Sequence, residues 1–145
     1  MPVSVLELPA VFGYDDAMQL TQSREDYLET IYELIKENTV ARVKDIAAKL
    51  NVRKPSVHSA INELKKHGLV EQEPYGYVTL TELGMEEAKK VVRRHEILRE
   101  FLLLLDVPSD VAERDACAME HLLSQETYDA IEKFSAKKRK LKNQK

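Results

Sequence analysis

Arg53-Lys54-Pro55-Ser56-Val57-His58-Ser59-Ala60-Ile61-Asn62-Glu63-Leu64-Lys65-Lys66-His67-Gly68 runs directly into Leu69-Val70-Glu71-Gln72-Glu73-Pro74-Tyr75-Gly76-Tyr77-Val78-Thr79-Leu80, and the change of period between them decides the fold. Val57, Ile61 and Leu64 recur at helical spacing, Pro55 suits a first helical turn, and Gly68 is a natural stop. Beyond Gly68, two short strand-like runs flank Pro74-Tyr75-Gly76, with Pro74 at i+1 of a turn and Gly76 at i+3, which predicts a hairpin. Upstream, Ser23 offers an N-cap with Asp26 three residues on, and Tyr27, Leu28, Ile31, Tyr32, Leu34 and Ile35 mark an amphipathic helix over residues 24–37. Val43, Ile46, Ala47 and Leu50 predict a second helix, closed by Asn51. Three helices followed by a hairpin make a winged helix-turn-helix, in which the helix over 54–67 is the recognition helix.

The first turn of such a helix faces base edges in the major groove. Arg53, Lys54, Ser56, His58, Ser59 and Asn62 form its exposed polar set. Ser56, Ser59 and Asn62 suit base edges; Arg53, Lys54, Lys65 and Lys66 suit phosphates. For any single residue a plain solvated face remains an equal alternative. The net charge of −3 argues against nucleic acid, but its distribution does not. From Lys36 to His67, eight Lys and Arg stand against Glu37, Asp45 and Glu63, a basic patch on an acidic protein. Tyr75 or Tyr77 at the wing could reach the DNA backbone or minor groove, or pack on its own hairpin.

Thr81 can cap a long helix reaching Leu105, whose end, Phe101 to Leu105, is apolar all round and so needs cover on more than one side. In so small a chain a second subunit is the expected cover, giving a homodimer. Pro108-Ser109 breaks the chain, a helix follows over residues 110–123, and a last one over 125–136. The expected organisation is mostly α: an N-terminal arm (1–22), a winged-helix DNA-binding domain (23–81), a helical dimerisation and metal-binding domain (82–136) and a disordered basic tail (137–145).

Ligand-type residues gather in the C-terminal half. If residues 117–121 are helical, Cys117, Glu120 and His121 share one stripe at i, i+3 and i+4; Asp26 and Glu29 repeat the i, i+3 spacing, and His95 stands on the long helix between. Buried-facing carboxylates without a counter-charge carry a heavy desolvation penalty, which a divalent cation removes. The single Cys cannot form an intrachain disulfide, which fits a reducing cytosol, and a free thiol beside a metal site is expected to oxidise when the metal is absent. No apolar run approaches the ~18 residues that span a bilayer, and no basic residue precedes the first apolar stretch, so a cytoplasmic protein with no membrane partner is expected. A metal hydrolase is a rival reading, but the chain has no nucleophile elbow, phosphate loop or zinc-protease motif. A winged-helix regulator answering a small molecule is a second rival.

Asp26-Tyr27-Leu28-Glu29-Thr30-Ile31-Tyr32, the winged helix, Arg94-His95-Glu96, and Asp115-Ala116-Cys117-Ala118-Met119-Glu120-His121 occur in an order that resembles the metalloregulators typified by the diphtheria toxin repressor and the manganese transport regulator. The likeness covers residues 23–134 and is nearer the shorter, manganese-type members. It implies a homodimeric repressor, not an enzyme, that binds a double-stranded operator when loaded with Mn²⁺ or Fe²⁺ and controls metal-uptake genes. By the resemblance Asp26, Glu29, His95, Cys117, Glu120 and His121 are the ligands. Cys117 agrees with the iron-type pattern and departs from the manganese type, which has Glu there; Asp26 does the reverse, so the implied site is a hybrid without one bridging carboxylate. Glu113 and Glu96 could join a second ion or be solvated acids. His58 and His67 belong to the DNA-binding half.

Overall fold

The computed structural model describes residues 11–74 and 76–144, residues 11–21 by backbone alone. Helix α1 (Val11–Asn38) is followed by β1 (Ala41–Arg42), α2 (Val43–Leu50), α3 (Lys54–Lys66), β2 (Val70–Gln72), β3 (Tyr77–Leu80), α4 (Glu82–Leu104), α5 (Ser109–Met119) and α6 (Gln125–Asn143). Mostly α with an N-terminal winged helix is therefore the observed fold. The strands form one antiparallel sheet in the order β1-β3-β2, Ala41 opposite Val78 and Val70 opposite Leu80.

Local chemistry sets most of these boundaries. Asn51 closes α2 in the left-handed conformation (φ 53°), which its short polar side chain tolerates. Gly68 at φ +70° lets the chain leave α3, and its successor's amide donates to Leu64 O at 2.9 Å. In the wing, Gly76 N–H donates to Glu73 O at 2.9 Å, the turn that Pro74 initiates; Tyr75 lies outside the described residues. Thr81 caps α4 by accepting from Gly84 N–H at 3.0 Å.

Three helices differ from expectation. α1 begins at Val11, not near Ser23, because Asp15-Asp16-Ala17-Met18-Gln19-Leu20 contains no Pro or Gly to stop a helix already anchored by its packed half. Of the expected N-terminal arm, residues 1–10 lie outside the described residues. α5 stops at Met119, four residues early, and the Tyr128 hydroxyl donates to the carbonyls of Glu120 (2.5 Å) and Met119 (3.3 Å) released there. α6 runs to Asn143, so the tail expected to be disordered is helical up to that residue. Its Lys and Arg are good helix formers, they complement the negative end of the helix dipole, and Arg139 pairs with Glu100 of α4.

Two apolar cores result. The first packs Tyr27, Leu28 and Ile31 of α1 against Ile46, Val57, Ile61, Leu64 and Val78, and also takes Ala88 from α4. The second joins Ile97 and Leu98 of α4 to Ala116 and Tyr128. Each fully buried Ile or Leu contributes roughly 1.5–3 kcal/mol, so both units hold together by burial. α4 passes through both cores, and His95 lies on the seam between them.

Candidate metal centre and DNA-reading face

Three segments converge on that seam: α1, the middle of α4 and the end of α5. Asp26, Glu120 and His121 place one donor atom each within 4.8 Å of one another, as do Glu29, His95 and Glu120, and His95, Glu113 and Cys117. All six residues expected as ligands are thus in one cluster, joined by Glu113. The stripe is not a continuous helix, since Cys117 sits in the last turn of α5, Glu120 caps it and His121 follows.

Glu120 is the hinge of the arrangement. Its carboxylate is 1% exposed, with Oε2 2.7 Å from His95 Nδ1 and Oε1 3.3 Å from His121 Nε2. Each imidazole has its other nitrogen on an outer carboxylate. His121 Nδ1 lies 2.7 Å from Glu25 Oε2, and Arg94 steadies Glu25 at 3.5 Å. His95 Nε2 lies 2.8 Å from Glu113 Oε1, whose second oxygen is 3.0 Å from Arg99 Nε. Such carboxylate–histidine pairs fix ring orientation and leave the inner nitrogen for an ion. Cys117 Sγ, 3.7 Å from His95 Nδ1, adds an exposed soft donor. Glu25 escaped sequence reasoning because α1 carries carboxylates at 25, 26, 29 and 33, and period alone does not say which turns inward; its spacing of four from Glu29 was the available signal.

His121 Nε2 tests the fit. It is buried and makes no hydrogen bond, although Asp26 Oδ1 is 2.9 Å away and Glu120 Oε1 3.3 Å, because neither oxygen lies in line with the ring N–H. An orphaned ring nitrogen among carboxylate oxygens is poor hydrogen bonding but a sound donor set for a divalent cation of intermediate softness. Without a cation, protons do the balancing. The hydrogen bond to Glu120 lifts His95 to about 9 against its desolvation, with Glu113 adding to the rise. Burial opposes the charge on His121, but the carboxylates of Asp26, Glu120 and Glu25 raise it above its ordinary value. Burial, reinforced by Glu120, pushes Glu29 up to about 8. Burial would also raise Glu120, yet the adjoining His121 ring and the hydrogen-bonded His95 ring hold it down to about 2. The Cys117 thiol is pushed up to about 11, by burial first and then by Glu120, Glu29, Glu113 and Asp26. With that proton retained, the exposed thiol is a weaker nucleophile in the metal-free protein.

Arg53 at the N-cap of α3 and Lys54, Ser56, Ser59 and Asn62 on it are all exposed, while Val57, Ile61 and Leu64 turn inward. Lys65 and Lys66 are exposed but engaged, Lys65 donating to Gln72 Oε1 at 3.0 Å and Lys66 pairing with Glu63 at 3.1 Å. Among the described residues no ion pair holds Arg53 or Lys54. At the wing, Arg42 lies 5.2 Å from the Tyr77 ring centroid, so Tyr77 packs under a cation of its own sheet.

Residues 19–78 match the model of the iron dependent repressor N-terminal DNA binding domain, and residues 81–140 that of the iron dependent repressor metal binding and dimerisation domain. The transcriptional regulator MntR of Escherichia coli O6:H1 is 42% identical over 113 residues, 78% of this chain and 73% of that protein. The chain belongs to the iron-dependent repressor family. Another such relative, the HTH-type transcriptional regulator MntR of Bacillus subtilis strain 168, is 38% identical over 85% of this chain and 92% of its own length. Among solved structures, the repressor fold superposes on T. acidophilum IdeR with a TM-score of 0.65 at 32% identity, over 74% of this chain. The chain spans about half (51%) of the length of that structure. The family match fits the observed division, because the first matched segment ends inside β3 and the second begins at the cap of α4.

Proposed function

We propose that this chain is a metal-dependent DNA-binding transcriptional repressor that senses Mn²⁺ or Fe²⁺ and binds a double-stranded operator as a homodimer, controlling metal-uptake genes. Its relatives are transcriptional regulators, and it is not an enzyme. The observation that carries the metal-sensing reading is the shared Glu120 carboxylate, one oxygen at each histidine, beside the orphaned His121 Nε2. Asp26, Glu29, His95, Cys117, Glu120 and His121 would hold the ion. When bound, it supplies positive charge to a cluster otherwise neutralised by protons. Glu120 lies against both histidines and would be the donor common to the two sides of the site.

The residues that would hold an ion come from α1 of the first core and from α4 and the end of α5 outside it, so satisfying one ion would fix the winged helix against the second unit. Arg53, Lys54, Lys65 and Lys66 would meet phosphates, and Ser56, Ser59 and Asn62 base edges. We assign residues 23–81 to DNA binding and 82–136 to dimerisation and metal binding. Leu105, Leu122 and Phe134 of the second unit are 48%, 53% and 51% exposed, apolar side chains that a second copy would cover. No helix among the described residues is long and apolar enough to cross a membrane, and we place the protein in the cytoplasm. Gel-shift titration on DNA from its own promoter, with Mn²⁺, with Fe²⁺ and with chelator, tests the reading. Binding only with metal is expected; equal binding in chelator would favour a metal-independent regulator.

A further inference from the structure

α4 meets the exit of the recognition helix through an unusually close backbone approach. The Thr81 hydroxyl donates to Gly68 O at 2.6 Å and accepts from Gly84 N–H at 3.0 Å, while Thr81 N–H donates to Leu69 O at 3.1 Å. Gly84 is buried there, and a Cβ on it would stand 1.8 Å from Leu69 O and 2.8 Å from Leu69 C. Only glycine lets the first turn of α4 lie against that backbone. One hydroxyl therefore joins the cap of α4 to the residue that terminates α3, and no ligand-type residue takes part. Ala88, one turn further along α4, is inside the first core with Val57, Ile61 and Leu64 of α3.

We propose that Thr81 and Gly84 are positioning residues for operator binding, clamping α4 to the end of the recognition helix so that whatever orients α4 at His95 also orients α3. The inference rests on the metal-dependent reading above. α3 and the start of α4 move as one piece, and the seam around His95 is where the winged helix changes its setting. Weakening the clamp leaves the metal ligands untouched but lets α3 lose its orientation relative to them.

Thr81→Asp separates the clamp from the helix cap. An aspartate still accepts from Gly84 N–H, but when ionised it has no proton for Gly68 O. Thr81→Val removes both bonds, and Thr81→Ser retains both. The full chain is assayed for Mn²⁺ affinity by electron paramagnetic resonance and for affinity to a duplex selected from random DNA by the manganese-loaded wild type. Thr81→Asp is expected to keep wild-type Mn²⁺ affinity and to bind the duplex about tenfold or more weakly when loaded; its tightening of Mn²⁺ on duplex addition should fall by the same factor as its Mn²⁺-induced gain in duplex affinity, as linkage requires. Thr81→Ser should behave as wild type. Unchanged duplex affinity in Thr81→Asp would overturn the proposal, and so would a parallel loss of Mn²⁺ affinity, which marks a fold determinant. Should Thr81→Val fail to fold, the aspartate variant carries the test. A wild type that binds duplex equally in chelator removes the metal reading, while the wild-type to Thr81→Asp ratio of duplex affinities still judges the clamp.

Discussion

Glu25 Oε2 lies 2.7 Å from Nδ1 of His121, across 96 residues of chain, and this contact determines which nitrogen of the buried imidazole is left to face Asp26 and Glu120. With the Nδ1 proton committed to Glu25, Nε2 is the nitrogen available for coordination. Glu25→Gln should weaken Mn²⁺ binding by about 10–100-fold while leaving the ligands in place. Isothermal titration of Mn²⁺ into the metal-free protein measures this, and unchanged affinity would reduce Glu25 to a partner of Arg94.

Cys117, the one sulfur donor of the proposed site, would control its metal ranking. Its thiolate favours Fe²⁺, Co²⁺ and Zn²⁺ over Mn²⁺, whereas the remaining donors are oxygen and nitrogen. Cys117→Glu should narrow activation of DNA binding toward Mn²⁺, and the cysteine-to-metal charge-transfer band of the Co²⁺ complex should vanish. Absence of that band in the wild type would mean that the sulfur, though 3.7 Å from His95 Nδ1, does not coordinate.

Metal-free stability should fall with rising pH. His95 is lifted from 6.5 to about 9 in the fold, so its contribution is complete below pH 6.5 and lost as pH rises through about 9. Glu29, raised from 4.5 to about 8, acts in the same sense, because the folded state holds its proton where the unfolded chain has released it. Thermal melts from pH 6.5 to 9.5 should therefore decline for the metal-free protein and stay flatter with saturating Mn²⁺, which replaces those protons. A rise in melting temperature over that range without metal would contradict the charge arrangement around Glu120.

On the reading helix, Ser56→Ala and Asn62→Ala should change sequence preference. Lys54→Ala should instead weaken binding to all duplexes and lower the salt slope by about 1. Lys66→Ala should do less, because Lys66 already pairs with Glu63 at 3.1 Å. Selection from random duplexes together with binding at graded salt separates these cases; uniform losses from all four variants would place base reading elsewhere.

The sequence was most legible where a single residue type enforces one geometry. Asn51 closing α2, Thr81 capping α4 and Gly68 ending α3 stand where their chemistry requires. Two-residue β1 carries no period to read, yet Ala41 and Arg42 complete the sheet through β3. The end of α6 reads as disordered from its run of basic residues, whereas Arg139 finds Glu100 only after α4 and α6 pack. Six ligand-type residues were visible from spacing and resemblance. Glu25, and the clustering of Glu113 with His95 and Cys117, depend on rotamers and on neighbours distant in sequence, which no local pattern encodes.

α4 is unbroken between the Thr81–Gly84 contact and His95, a run of about 16 Å at 1.5 Å per residue. α3, with 13 residues, is about 20 Å long. A displacement at the seam therefore reaches the far end of α3 with a gearing close to unity. Mn²⁺ and Fe²⁺ differ in size by far less than an ångström, so this lever cannot magnify the difference into distinct positions in the groove. Under the proposed clamp, discrimination between metals would be complete at the donor atoms, and downstream of His95 the DNA would register only whether the site is filled.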